Sequence, residues 1–264
     1  KKMKTILVGV DFTKSSDNTI NYAIELAKQS EAKILLFHAL MAPVVHTTSG
    51  LVFMDGENFI KGEEKKIQVL QAELSKKHPE IKFDTELTYE NIREKVEKLS
   101  KKNKISLAVL GLETKSKISK FIYGTTSIDL TGKVDCPIIT VPEKYKHHHI
   151  KKIMIAIDNK ESISPGLSKR MHSVIKFLGA EAEYVHIKTE DELELGEKNR
   201  HPFPITNIKA ANFQDGISMY SKKSKTDAIM LISHNYSAFH NLFIDSNSKK
   251  IILSSNIPVI SIHK

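Results

Sequence analysis

The chain has 264 residues, 40% of them hydrophobic, with a single cysteine and a net charge of +9. That length holds one large domain or two of ordinary size, and the lone Cys136 excludes an internal disulfide and fits a reducing, cytoplasmic setting. No apolar run reaches the ~18–20 residues of a membrane span, and the charge excess is mostly lysine, with three arginines and no tryptophan, which argues against a nucleic-acid reader.

The N-terminal segment KKMKTILVGVDF has too short an apolar stretch for a signal peptide. Residues 4–10 read as a buried parallel strand that ends at Asp11. Ser15, Ser16 and Asp17 offer N-caps for a helix whose apolar stripe is Ile20, Ala23, Ile24 and Ala27. A strand over 33–39 closes in His38-Ala39-Leu40. A long amphipathic helix follows, with Ile67, Leu70 and Leu74 on one face. Next come a strand near 82–87 and a helix near 90–102 carrying Ile92, Val96 and Leu99. A strand at 105–110, a basic loop, a helix from Gly124 and a last strand at 137–141 complete the series. Such alternation predicts an α/β protein built on a parallel, doubly wound sheet. Residues 142–152, PEKYKHHHIKK, read as a linker, with its three histidines solvated rather than metal-binding.

The same series then recurs. KTILVGVD, ending at Asp11, matches KKIMIAID, ending at Asp158. AKILLFHAL around His38 matches AEAEYVHIK around His186. ISLAVLGLET matches TDAIMLISHN, and DCPIITVPE matches NIPVISIHK. Four matches in one order imply duplication, with domains at 1–146 and 150–264. Asp158 follows Asp11 by 147 residues and His186 follows His38 by 148, but Ile257 follows Cys136 by only 121. The second copy is therefore shorter between its second and fourth strands. Where the first copy has its long helix, the second has TEDELELGEKNRHPFP, an acidic loop punctuated by prolines. It is expected to lack that helix.

In open parallel sheets ligands bind beyond the carboxyl ends of the strands. Asp11, His38-Ala39-Leu40 and Gly111 stand at those ends, and the helix start at Gly124-Thr125 points to the same crevice. Backbone N–H groups and the helix dipole there favour an anion, with hydroxyl donors and Lys115, Lys117 and Lys120 nearby. The plainer alternatives are that Asp11 caps a helix, that Gly124 only makes a turn, and that the lysines are solvated. No Walker-type or Gly-x-Gly-x2-Gly motif occurs, and no nucleophile–base arrangement can be placed by spacing.

Gly111-x2-Thr114-x9-Gly124-Thr125, together with Asp11, His38-Ala39 and Cys136-Pro137, resembles the universal stress protein family, in a tandem form covering the whole chain. The family's nucleotide-binding members carry Gly-x2-Gly-x9-Gly-(Ser/Thr), so Thr114 stands where a glycine is usual. The resemblance implies two Rossmann-like domains of the adenine nucleotide alpha-hydrolase type, each a five-stranded parallel sheet with strand order 3-2-1-4-5. It implies ATP or another adenine nucleotide as ligand, with magnesium left open. Ribose and adenine would lie at Val10, Asp11 and Ala39, and phosphates at Gly111, Thr114, Gly124, Thr125, Thr126 and Ser127. It also implies pairing of the two domains through their last strands, and leaves open a homodimer and a protein partner. The second copy reads Ser233-x2-Tyr236-x9-Ser246-Asn247, with every glycine gone, and is not expected to bind a nucleotide. The function implied is a cytoplasmic stress-response protein acting through conformation or partners, with at most slow ATP hydrolysis. A two-domain scaffold without a ligand is the alternative.

Overall fold

The computed structural model describes residues 4–40, 44–47, 50–53, 56–103, 105–112, 130, 134–146, 149–158, 162–189, 201, 203–233 and 248–263. In the N-terminal half the elements are β1 (Lys4–Gly9), α1 (Lys14–Ser30), β2 (Ala32–Ala39), β3 (Val44–Thr47), β4 (Gly50–Phe53) and α2 (Gly56–Lys77), followed by β5 (Phe83–Thr88), α3 (Ile92–Asn103), β6 (Ile105–Leu112) and β7 (Ile138–Pro142). The C-terminal half adds β8 (Lys152–Ala156), α4 (Pro165–Leu178), β9 (Glu181–Lys188), β10 (Thr206–Lys209), α5 (Phe213–Lys223), β11 (Ala228–Ser233), α6 (Ser248–Ser254) and β12 (Val259–His263).

Ten strands form one sheet in the order β10-β9-β8-β11-β12-β7-β6-β1-β2-β5, and β3 and β4 form a separate antiparallel pair that the sequence reading did not anticipate. Each half contributes five parallel strands in the order 3-2-1-4-5, the arrangement expected from the family resemblance. The halves join where β12 lies antiparallel to β7, with Val259 opposite Thr140 and Ile260 opposite Ile139. This pairing covers two strand edges that would otherwise present unpaired backbone groups.

The predicted stripe of α1 is buried as a set: Ile20, Ala23, Ile24 and Ala27 all face the sheet. The helix start differs from the expectation. Thr13, not Ser15, Ser16 or Asp17, is the N-cap, and its hydroxyl accepts from the Ser16 amide at 3.3 Å. Ser15 and Ser16 fall inside the first turn and are buried. In α4 the matching cap is Ser164, with Pro165 in the first turn, and Gly179 ends the helix in the left-handed conformation.

One apolar cluster runs across both halves on a single face of the sheet. It includes Ile6 and Val8 of β1, Ile153 and Ile155 of β8, the stripe of α1, and Leu167, Met171 and Val174 of α4. The opposite face has two clusters, one under Val96 and Leu99 of α3 and one under Ile217 of α5 with Ile251 and Ile252 of α6. The expected linker is pinned rather than loose. Tyr145 and Ile150 are buried in the shared cluster. Asn18 Nδ2 donates to the Tyr145 carbonyl at 3.0 Å, and the Tyr145 hydroxyl donates to the Asp227 carbonyl at 3.3 Å. His147 and His148 lie outside the described residues.

In the N-terminal half α2 covers the sheet edge with Ile67, buried, and with Leu70 and Leu74 packed against the core. Between β9 and β10 no helix occurs among the described residues. There Phe203 stacks on Tyr184 of β9 with ring centroids 3.9 Å apart, and His201 stacks on Phe203 at 5.2 Å.

Candidate nucleotide site at the strand tips

The carboxyl ends of β1 and β2 are tied together by backbone and by one imidazole. Gly9 pairs with Phe37, and the Val10 amide donates to the Phe37 carbonyl at 2.9 Å. His38 Nδ1 donates to the Val10 carbonyl at 2.7 Å. A carbonyl only accepts, so this bond fixes the proton on Nδ1. His38 Nε2 then lies 3.4 Å from Glu63 Oε2 of α2, and Glu63 Oε1 pairs with Lys66 at 2.6 Å. The same brace recurs in the C-terminal half, where His186 Nδ1 donates to the Ile157 carbonyl at 3.1 Å. His38 and His186 thus brace the strand tips at matched positions of the two halves.

Asp11 is partly exposed at this tip. Its Oδ1 accepts from the Thr13 amide at 3.0 Å and from the Thr13 hydroxyl at 2.6 Å, and its own amide donates to Ser16 Oγ at 3.2 Å. One carboxylate oxygen therefore builds the turn that caps α1. This realises the capping alternative for half of the carboxylate and places the group at the rim of the crevice. Between Asp11 and Thr13, Phe12 takes the left-handed conformation with φ 60, rare for a bulky side chain. Its ring is 40% exposed and sits edge-on to His38 at 4.9 Å.

Val10 is fully buried beneath this turn, and Ala39 is partly buried at the end of β2, where the next amide, Leu40, donates to the Thr88 carbonyl at 2.7 Å. Gly111 closes the site from β6. A Cβ built there would lie 2.6 Å from Thr19 Oγ1 and 3.2 Å from Ser15 Oγ. The Thr19 hydroxyl donates to the Ser15 carbonyl at 2.9 Å, a bond that moving it away would break. Gly111 is required first by the close approach of α1 to β6. Val10, Asp11, Ala39 and Gly111 are therefore gathered at one end of the sheet. Thr114, Gly124, Thr125, Thr126 and Ser127 lie outside the described residues, as do Lys115, Lys117, Lys120, Tyr236, Ser246 and Asn247.

Phe12, Thr13 and Glu63 were not singled out from the sequence. Glu63 did leave a signal, because it stands four residues before Ile67 and shares the apolar stripe of α2. Cys136 is buried, and burial pushes its thiol pKa up, which keeps it protonated and unreactive. Among the described residues no group of three His, Cys, Asp or Glu gathers as a metal site, and no helix is long and apolar enough to cross a membrane.

Residues 2–142 match the model of the universal stress protein family. A universal stress protein of Archaeoglobus fulgidus has a similar structure, with a TM-score of 0.67 at 16% identity over 98% of this chain and 96% of that one. A functionally unknown protein of Pseudomonas aeruginosa follows at a TM-score of 0.63 and 10% identity, covering 99% of this chain and 92% of that one. A putative universal stress protein of the same species also gives 0.63 at 10% identity, with 99% and 93% covered. At these identities the likeness is one of fold alone. No match to the chain was found among curated proteins. The family model spans more than half of the sequence: the chain belongs to the universal stress protein family.

Proposed function

We propose that the N-terminal half binds ATP or a related adenine nucleotide in the crevice at the carboxyl ends of β1, β2 and β6. The protein then acts in the cytoplasmic stress response through a nucleotide-dependent conformation or partner rather than through turnover. In this reading Val10, Asp11 and Ala39 flank the ribose and base, and Gly111, Thr114, Gly124, Thr125, Thr126 and Ser127 hold the phosphates. Residues 150–264 are a shortened second copy that pairs with the first and carries no nucleotide. The observation that supports this most is the braced strand tip, where the His38–Val10 bond holds Asp11 and Ala39 at the one edge of the sheet that also carries Gly111. A partly exposed carboxylate beside closely approaching backbone suits a sugar hydroxyl pair.

A ligand-free scaffold is the second reading. It is favoured by the Asp11 oxygen already committed to Thr13, and by the packing need that accounts for Gly111. Thr114 adds to it, since a β-branched residue in place of a loop glycine costs about 1–2 kcal/mol if that position needs a positive φ.

Mass spectrometry of small molecules released from freshly purified, denatured protein, followed by calorimetric titration with ATP and magnesium, separates the two. Up to one nucleotide per chain is expected. Gly124→Trp should abolish binding while the chain stays folded by circular dichroism, and Ser246→Trp should leave it unchanged. No nucleotide and no heat at millimolar ATP would establish the scaffold.

A further inference from the structure

At the other end of the sheet, beneath the amino ends of β1, β6 and β7, lies a cavity of about 640 Å³. One six-residue strand, about 20 Å, separates it from the nucleotide crevice. Both halves build it. Lys4, Ile105 and Pro137 come from the strand starts and Lys101 from the end of α3, while Arg170, Ser173, Val174 and Phe177 come from α4. The α4 residues are spaced i, i+3, i+4 and i+7, so one stripe of that helix forms a wall.

The lining is chemically biased. Four cationic side chains, Lys4, Lys101, Arg170 and Lys176, stand against one carboxylate, Asp135. Lys4 Nζ sits 4.6 Å over the Phe177 ring, and none of the four enters an ion pair among the described residues. The floor is apolar, with Ile105 and Val174 buried and Phe177 half-buried. Cations gathered in a cleft with low-dielectric walls focus a positive potential into it. The volume is in the range of small-molecule sites, about 300–1,000 Å³.

We propose that this cavity is a second ligand site, separate from the nucleotide crevice, for a small organic anion with an apolar body. The apolar part would lie on Ile105, Val174 and Phe177, and its carboxylate, sulfonate or phosphate would face Arg170 and the lysines. An occupant touches residues of both halves, so it stabilises their packing as well as each half.

Titration of the whole protein with 8-anilinonaphthalene-1-sulfonate, an aromatic anion whose fluorescence rises in apolar surroundings, tests this. One saturable site per chain is expected, together with a melting temperature that climbs with probe concentration. Arg170→Glu and Lys101→Glu should each weaken binding roughly tenfold by placing like charge at the site. Ser173→Trp should abolish binding by filling the space. Ser173 is exposed and its hydroxyl bonds only the Lys169 carbonyl of its own helix, so this variant leaves the core intact. Lys169→Glu makes the same charge change on an exposed position of α4 outside the cavity and should bind like the parent. Saturating ATP should not displace the probe. Absence of a saturable site, displacement by ATP, or parent-like affinity in Arg170→Glu and Ser173→Trp would overturn the proposal. Because the probe has no adenine, failure here and failure of the nucleotide reading are independent results.

Discussion

The two halves solve the same covering problem with different material. In the N-terminal half the β2–β5 end of the sheet is roofed by a 22-residue helix, α2, anchored by Ile67, which is 1% exposed. In the C-terminal half the strand residue matching Leu36 is Tyr184, and its roof is Phe203 with His201 behind it. Aromatic rings bury much area with few rotatable bonds, so a short segment of them can replace two turns of aliphatic helix. The helix is also a platform. In the first half α2 also delivers Glu63 to His38 Nε2. The same sheet position can therefore be covered by a helix in one half and by stacked aromatic rings in the other.

The largest test of this contrast lies in the two roofs. Ile67→Ala should cost about 2–5 kcal/mol, the range for emptying a fully buried aliphatic site. Phe203→Ala should cost less, about 2 kcal/mol, because the ring is only half-buried and part of its contribution is stacking. Chemical denaturation midpoints measure both. Equal losses would mean that the aromatic segment is a full structural substitute for α2.

Next in size is the contact that makes the first half's crevice tight. Gly111→Ala places a Cβ 2.6 Å from Thr19 Oγ1 and should cost about 1–3 kcal/mol as overpacking. Combining it with Thr19→Ala removes the opposing oxygen and should return most of that loss. In the C-terminal half the strand register puts Ile232 at the matching place, so that sheet already accepts a side chain there. If the double variant is no better than the single one, the glycine serves something other than helix packing.

These cases also show what was legible in the sequence. The recurring strand–helix series and the buried stripes of α1, α2 and α3 followed from apolar periodicity and matched spacings, because burial on a sheet leaves a regular trace, whereas the strand order came only with the family resemblance. The helix start did not follow. Thr13, Ser15, Ser16 and Asp17 are all good caps, and the choice falls on Thr13 because Asp11 holds its amide and hydroxyl. The β3–β4 pair was missed, as were Phe12, whose backbone conformation no composition reveals, and the cavity lined by Lys4, Lys101 and Arg170. Cavities between packed halves join residues more than a hundred positions apart, and no local pattern records that.

A smaller effect is expected at the seam. Tyr145→Phe removes the hydroxyl that reaches the Asp227 carbonyl and should cost about 1 kcal/mol. It should also change the alkaline response. Burial first, and the Asp227 charge second, push the Tyr145 phenol up from 10.0 to about 12. A phenol whose pKa is raised on folding contributes stability that is full below its unfolded value and is lost as pH rises through the folded one. Stability of the parent should therefore fall between about pH 10 and 12, and part of that slope should vanish in Tyr145→Phe. An unchanged slope would place the alkaline sensitivity elsewhere, with buried Tyr22 the next group to examine, since its phenol is raised in the same direction.

The smallest expected change in stability is the most informative about function. Phe12 follows Asp11, and Asn159 follows Asp158, so Phe12→Asn copies the second half into the first. Asparagine tolerates the left-handed conformation that Phe12 adopts at φ 60, which relieves strain. The ring gives up its edge contact with His38 but is already 40% exposed. The two terms oppose each other, and net stability should move by no more than about 0.5 kcal/mol. Nucleotide affinity should respond differently. A strained, exposed aromatic at the rim of a crevice is held there at a cost that a plain turn does not require. If Phe12 packs against the bound nucleotide, Phe12→Asn should weaken ATP roughly tenfold, the equivalent of about 1.4 kcal/mol. Calorimetric titration and a denaturation curve on the same variant separate the effects. Higher stability with unchanged affinity would make the first half's strand tip an ordinary turn, no better fitted to a ligand than its counterpart at Asp158.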